Sequence, residues 1–178
     1  MKRLTLLIAA LLLALTTTAQ NISYDDDFTQ TREMKVPGKT IVKSGHMTFD
    51  GVDHLSMEYT EPEGEYFIID GITVKINMGG KKNEINANKV KSVGLQRTTL
   101  LNCLAGNWKE AAKANNAETV VNEDNRGVRN VTLTVNGKVS RGGYSLMELT
   151  YRTSDGKLQK MVLVESTGIR NTYTLSAN

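Results

Sequence analysis

The stretch Gly45–Gly71, GHMTFDGVDHLSMEYTEPEGEYFIIDG, decides how this chain folds. Its apolar residues alternate: Met47 and Phe49, then Leu55, Met57 and Tyr59, then Phe67 and Ile69. A period of two describes strands with one apolar face. Turn signals separate the runs, at Asp50-Gly51, at Pro62 to Gly64 and at Asp70-Gly71. The stretch predicts a meander of antiparallel strands presenting a continuous apolar wall. Between residues 66 and 69 the face stays open, because Tyr66 and Ile68 alternate as well as Phe67 and Ile69 do.

On the N-terminal side, Asn21 to Met34 opens with the acidic cluster Asp25 to Asp27, and then Phe28-Thr29-Gln30-Thr31 reads as a first strand. The cluster lacks the spacing of a calcium loop and is expected to be a solvated strand start. A turn at Pro37-Gly38-Lys39 leads into Thr40 to Phe49. On the C-terminal side, Ile72, Val74, Ile76 and Met78 alternate as a strand, and Gly79-Gly80 reads as the turn of a hairpin with Lys81 to Ala87. From Lys91 the period becomes three and four, through Arg97, Leu100, Leu101, Leu104 and Trp108. This predicts a helix ending near Gly106 and a second, Trp108 to Ala114, capped by Asn107. Five further strands are expected at Glu118–Asn122, Asn130–Val135, Tyr144–Arg152, Leu158–Glu165 and Asn171–Leu175. Asn136-Gly137 and Asp155-Gly156 read as two-residue hairpin turns.

The chain has 178 residues, and its start reads as an export signal. Lys2 and Arg3 precede the apolar run Leu6 to Leu15, and small residues lead to a cut after Ala19. The run is too short for a membrane span. No Cys lies near the cut, so the mature chain is not expected to be a lipoprotein itself. Loss of Lys2 and Arg3 lowers the formal charge from +3 to about +1, which leaves no basic face for nucleic acid. The remaining residues, 20–178, suit one domain. The lone Cys103 permits no intrachain disulfide.

No catalytic set emerges. Cys103 sits on the first predicted helix, far in sequence from His46 and His54, the only histidines, and is expected to be apolar filler. If Phe49 pairs with His54 across the Asp50-Gly51 turn, His46 falls opposite Met57 and the two imidazoles are not neighbours. Gly79-Gly80 has no helix start or P-loop spacing after it. The expectation is no enzyme, no metal and no cofactor. About eleven antiparallel strands in so short a chain must curl. Two helices are too few for both faces, so the expected class is mainly β (α+β): a single strongly curved antiparallel sheet, a half-barrel, with a short helical lid over its concave face. Six methionines beyond Met1 against three Phe and one Trp make the interior pliable.

The order of these features resembles the LolA-type periplasmic lipoprotein carriers of Gram-negative bacteria. A Phe-x-Gln strand (Phe28, Gln30) precedes a Gly-led strand (Gly45, Met47, Phe49). Next come an apolar strand ending in Pro (Leu55, Met57, Tyr59, Pro62) and apolar residues closing on Asp70-Gly71. The helix Thr98 to Ala105 with Trp108 stands where that family has its lid, and the Asp155-Gly156, Glu165, Arg170, Tyr173 and Leu175 run is similar too. The resemblance implies an eleven-stranded half-barrel whose apolar cavity shields lipoprotein acyl chains in the periplasm. It also implies loading by an inner-membrane ABC transporter, delivery to an outer-membrane acceptor, and a monomeric carrier. Its residues here would be Met47, Phe49, Leu55, Met57, Tyr59, Phe67, Ile69, Val74 and Ile76 on the cavity wall, under a lid of Leu100, Leu101, Leu104 and Trp108. Where the family carries a basic residue and Pro, this chain has Gly51 and Val52, so the family's latch Arg has no counterpart. Lys43 and Arg97 are the candidates to replace it. The alternatives are a carrier or sensor of another lipid or glycolipid, and a structural β-domain with a filled interior.

Overall fold

In a computed structural model, residues 22–35, 38–140 and 142–176 are described. The export signal at residues 1–19 and Pro37 of the predicted turn lie outside them. Eleven strands form one antiparallel sheet with two helices inserted midway. The strands are β1 (Tyr24–Glu33), β2 (Thr40–Phe49), β3 (His54–Glu61), β4 (Tyr66–Asp70), β5 (Thr73–Met78) and β6 (Lys81–Asn86). After helices α1 (Lys91–Leu104) and α2 (Trp108–Ala114) follow β7 (Ala117–Asp124), β8 (Val128–Val135), β9 (Tyr144–Arg152), β10 (Leu158–Glu165) and β11 (Arg170–Ser176). The order across the sheet is β6-β5-β4-β3-β2-β1-β11-β10-β9-β8-β7. The two ends never pair, so the sheet is a half-barrel and not a closed one.

Cross-strand register shows how the inner wall is built. Tyr24, Phe49, Leu55, Ile69 and Val74 stand opposite one another along β1 to β5, and Met47, Met57, Phe67 and Ile76 form the next rank. Met161 continues the wall between Tyr173 of β11 and Leu149 of β9. Side chains from these distant strands and from both helices join one buried cluster. Only a curved sheet brings them together.

Gly45 fixes one point of that curvature. It pairs with Phe28 on one side and Tyr59 on the other, beside a register shift at Ser44. Lacking a side chain, it lets the Phe28 and Tyr59 rings meet edge to face with centroids 5.2 Å apart. Glycine here serves close approach.

Several local expectations need correction. Phe49 pairs with Leu55, and His46 stands opposite Glu58, because Asp50 closes a longer turn. Its Oδ1 accepts the amides of Val52 (2.8 Å), Asp53 (3.1 Å) and His54 (3.1 Å). Asn136-Gly137 is not a two-residue hairpin: β8 ends at Val135, β9 starts at Tyr144, and the Asn136 amide turns away to donate to Asn116 O. Asp155-Gly156 sits in a four-residue loop closed by Arg152 N–H to Lys157 O at 2.8 Å. There the Asp155 carboxylate is occupied by the Arg152 guanidinium and the Lys157 amide. Asn107 occupies the N-cap of α2 but its side chain makes no capping bond. The Gly79-Gly80 hairpin forms as expected, with φ of +58° and +75° between Met78 and Lys81.

Candidate functional site

Helix α1 is pinned across the sheet at its middle and at its C-terminus. At its C-terminus, the carbonyls left without intrahelical partners need donors. Tyr24 OH donates to Leu104 O (3.1 Å) and Tyr151 OH to Cys103 O (2.8 Å). Tyr24 is fully used, since its oxygen also accepts the Leu158 amide at 2.7 Å. At its middle, Arg97 Nε donates to Gly71 O in the β4–β5 turn, and Gln96 Nε2 to Gly142 O before β9, each at 2.5 Å. Of the two cations that sequence offered as a latch, Arg97 is the one joining lid to sheet. Lys43 of β2 instead pairs with Glu65 in the β3–β4 connection, away from the helices.

Between these anchors, Leu100 hangs over a cavity of about 330 Å³. Its apolar wall comes from Ile41, Met57, Phe67 and Met78 on one side and Met161 and Leu163 on the other. Gln30, Arg32, Lys43, Tyr59, Tyr144 and Tyr173 make one polar border. A narrow apolar extension of about 10 Å³ shares Met57, Leu100, Met161 and Tyr173 with this cavity. It continues between Met47, Leu55, Leu104, Leu158 and Leu175.

The residues expected from sequence separate into three groups. Met57, Tyr59, Phe67 and Leu100 border the main cavity, and Met47, Leu55 and Leu104 border its extension. Phe49, Ile69, Val74 and Leu101 are buried in the surrounding core, with Ile76 and Trp108 packed against it. At residues 66–69 the inward pair is Phe67 and Ile69, the latter 1% exposed. Sequence reasoning missed the contribution of β1 and of β9 to β11: Gln30, Arg32, Tyr144, Met161, Leu163 and Tyr173.

The polar border is ordered by hydrogen bonds. Tyr59 OH donates to Gln30 Oε1 (2.9 Å), and Gln30 Nε2 donates to Tyr173 OH (3.0 Å). Arg32 donates to Asn171 Oδ1 (3.2 Å) and pairs with Glu165 (3.3 Å), which also accepts the Asn171 amide (3.1 Å). Burial pushes Glu65 up, but the Lys43 ammonium and the Gly79 amide outweigh it and hold the carboxyl below its ordinary value. Both cations of the border are therefore neutralised by carboxylates.

Among the described residues, the other titratable groups do not converge into a reactive centre. Cys103 is completely buried, and burial pushes its thiol up to about 12, so it is no thiolate nucleophile. His46 lies between Asp27 (2.9 Å) and Asp25 (2.7 Å) on the outer face. Asp50, Asp53 and His54 offer ligand atoms within 4.8 Å of one another, and Asp50 Oδ1 accepts three turn amides there. Among the described residues, no helix is long and apolar enough to cross a membrane.

A half-barrel whose lid covers an apolar cavity places the chain in a class of folds built to enclose apolar ligands. Residues 19–178 match the family described as outer membrane lipoprotein carrier protein LolA, and the chain belongs to that family. No curated protein matches it by sequence. Similar solved structures include a LolA-superfamily protein from Nitrosomonas europaea at 10% identity, covering 89% of this chain and 86% of that one, with a TM-score of 0.39. An uncharacterized conserved protein from Thermus thermophilus shows 10% identity over 93% and 84%, with a TM-score of 0.43. The lipoprotein LppX of Mycobacterium tuberculosis shows 11% over 92% and 91%, with a TM-score of 0.39. At such scores the family match carries the assignment.

Proposed function

We propose that this protein is an exported, monomeric carrier that shields a lipoprotein acyl chain while its cargo crosses from the inner to the outer membrane. The observation that carries the reading is the lidded apolar cavity beneath Leu100, bordered by Met57, Phe67, Met78, Met161 and Leu163. Each buried methylene is worth about 0.8 kcal/mol, so a chain of about sixteen carbons costs roughly 12 kcal/mol to expose to water. Unaided transit through an aqueous space is then negligible. A carrier offers a shielded surface of similar energy, and hand-off needs only that donor and acceptor hold the chain about equally well. No bond is made or broken, and the protein works without catalysis. The flexible thioethers of Met57, Met78 and Met161 suit a wall that must repack when a chain enters or leaves. The partners in this reading are an inner-membrane ABC transporter as donor and an outer-membrane acceptor.

The test is transfer itself. Inner-membrane vesicles carrying a labelled lipoprotein and the transporter are expected to release it, on ATP addition, as a soluble one-to-one complex with this protein. A second reading, a carrier of another single-chain lipid or glycolipid, is favoured by the volume of about 330 Å³. That is the low end of ligand pockets, about 300–1,000 Å³. Vesicles that retain the lipoprotein while a short-chain lipid binds would support this second reading over the first.

A further inference from the structure

The cavity's polar border holds a set of unspent donors. Three tyrosine hydroxyls donate within the protein: Tyr24 to Leu104 O, Tyr151 to Cys103 O and Tyr59 to Gln30 Oε1. Tyr144 and Tyr173 differ. The Tyr173 oxygen accepts Gln30 Nε2, yet its own proton has no acceptor among the described residues, and neither does that of Tyr144. Both residues border the cavity. They share one end of it: Tyr144 stands opposite Glu165 across β9 and β10, Glu165 meets Arg32 and Asn171, and Tyr173 follows Asn171 by two residues on β11. Among the described residues the buried side-chain polar atom left without a partner is Asn77 Oδ1, so the half-buried Tyr144 and Tyr173 hydroxyls remain open to an acceptor that enters the cavity.

The acceptors nearby bond other donors, and none takes either of these protons: Gln30 Oε1 takes Tyr59, Asn171 Oδ1 takes Gln30 and Arg32, and Glu165 takes Arg32, Asn171 and Thr167. What this end lacks is an acceptor placed to meet both hydroxyls. It has no spare charge either, because Arg32 is paired with Glu165 and Lys43 with Glu65. A carbonyl oxygen has two lone pairs and can take both phenolic protons. We infer that this end of the cavity binds the carbonyl of an uncharged acyl ester or amide, with Tyr144 and Tyr173 as donors and the hydrocarbon running beneath Leu100. The inference rests on the carrier reading and narrows it from any apolar chain to an esterified or amidated acyl group. Burial pushes both hydroxyls up, Tyr173 to about 12, so they stay protonated as donors across the physiological range.

The test is competition against the apolar dye N-phenyl-1-naphthylamine by methyl decanoate, by a hydrocarbon of equal length and by decanoate. Comparing Y144F/Y173F with the unaltered protein, the ester-to-hydrocarbon affinity ratio is expected to fall about tenfold or more, each single variant giving part of the drop. A ratio unchanged while the dye still binds overturns the carbonyl site and leaves the carrier reading standing. Decanoate binding tenfold more tightly than the ester also overturns it, since the ligand would then be a free acid. A dye that does not bind at all removes the carrier reading and this inference together. A second measurement needs no variant. The infrared carbonyl stretch of ¹³C-labelled methyl decanoate bound to the unaltered protein is expected at lower frequency than in alkane, and an unshifted band contradicts the inference.

Discussion

Replacing Gly45 by Ala probes the point where the apolar wall is tightest. A Cβ there would lie 2.2 Å from Glu58 O, 2.8 Å from Tyr59 Cα and 2.9 Å from Phe28 Cε1. Two of these are backbone atoms of β3, which cannot step aside by a rotamer change. Gly45 is not among the glycines with positive φ, so the cost is purely steric. An unobstructed Gly→Ala change inside a strand gains roughly 0.5–1 kcal/mol. Overpacking costs about 1–3 kcal/mol, and a backbone clash belongs at the top of that range. Overpacking wins, and the expected net loss is about 2 kcal/mol. For a chain of this size that lowers Tm by about 4–8 °C. Differential scanning calorimetry with a parallel urea titration measures it, and the urea midpoint is expected to fall without a change in slope. Gly79→Ala is the control: nothing lies within 4 Å, but φ is +58°, which costs about 1–2 kcal/mol. A Tm for Gly45→Ala at or above that of the unaltered protein would refute the close approach of β2, β3 and Phe28.

Other expectations follow from the lid and the outer face. Arg97→Ala removes the Gly71 contact, so amide exchange in the first turns of α1 is expected to quicken about five- to tenfold. The last turn, held by Tyr24 and Tyr151, keeps its protection; uniform or unchanged exchange contradicts the two-anchor description. The Asp27 and Asp25 carboxylates raise the His46 pKa above 6.5. The stability this gives is complete below pH 6.5 and disappears as pH rises through the folded-state value. An NMR titration of the His46 ring is expected to show the raised midpoint, lower in Asp27→Asn; a midpoint at or below 6.5 in the unaltered protein rules the pairing out.

The meander was legible because its strands bury one face only, so Met47, Phe49, Leu55, Met57 and Tyr59 stand out against polar neighbours. The helices were legible by their change of period. The other half of the cavity was hidden for definite reasons. β10, with LQKMVLVE, buries residues on both faces at Met161, Val162 and Leu163, so alternation cannot say which of them face inward. β1 turns Asp26 and Gln30 inward beside Tyr24 and Phe28, and inward polar residues blur the pattern. Gln30 is tolerated because Tyr59, Tyr173 and Asn171 satisfy its amide. Asp26 has the Lys157 ammonium 4.0 Å away. Turn dipeptides marked where the chain reverses but not loop length, because side chains such as Asp50 and Asp155 set the closure through bonds that a dipeptide does not encode.

The central claim is that the space beneath Leu100 exists for an acyl chain. Mass spectrometry of lipids released from protein purified from its native host tests it most directly, and the account predicts acyl chains at close to one per protein. A ligand-free interior that also fails to take up a fluorescent fatty acid would contradict it.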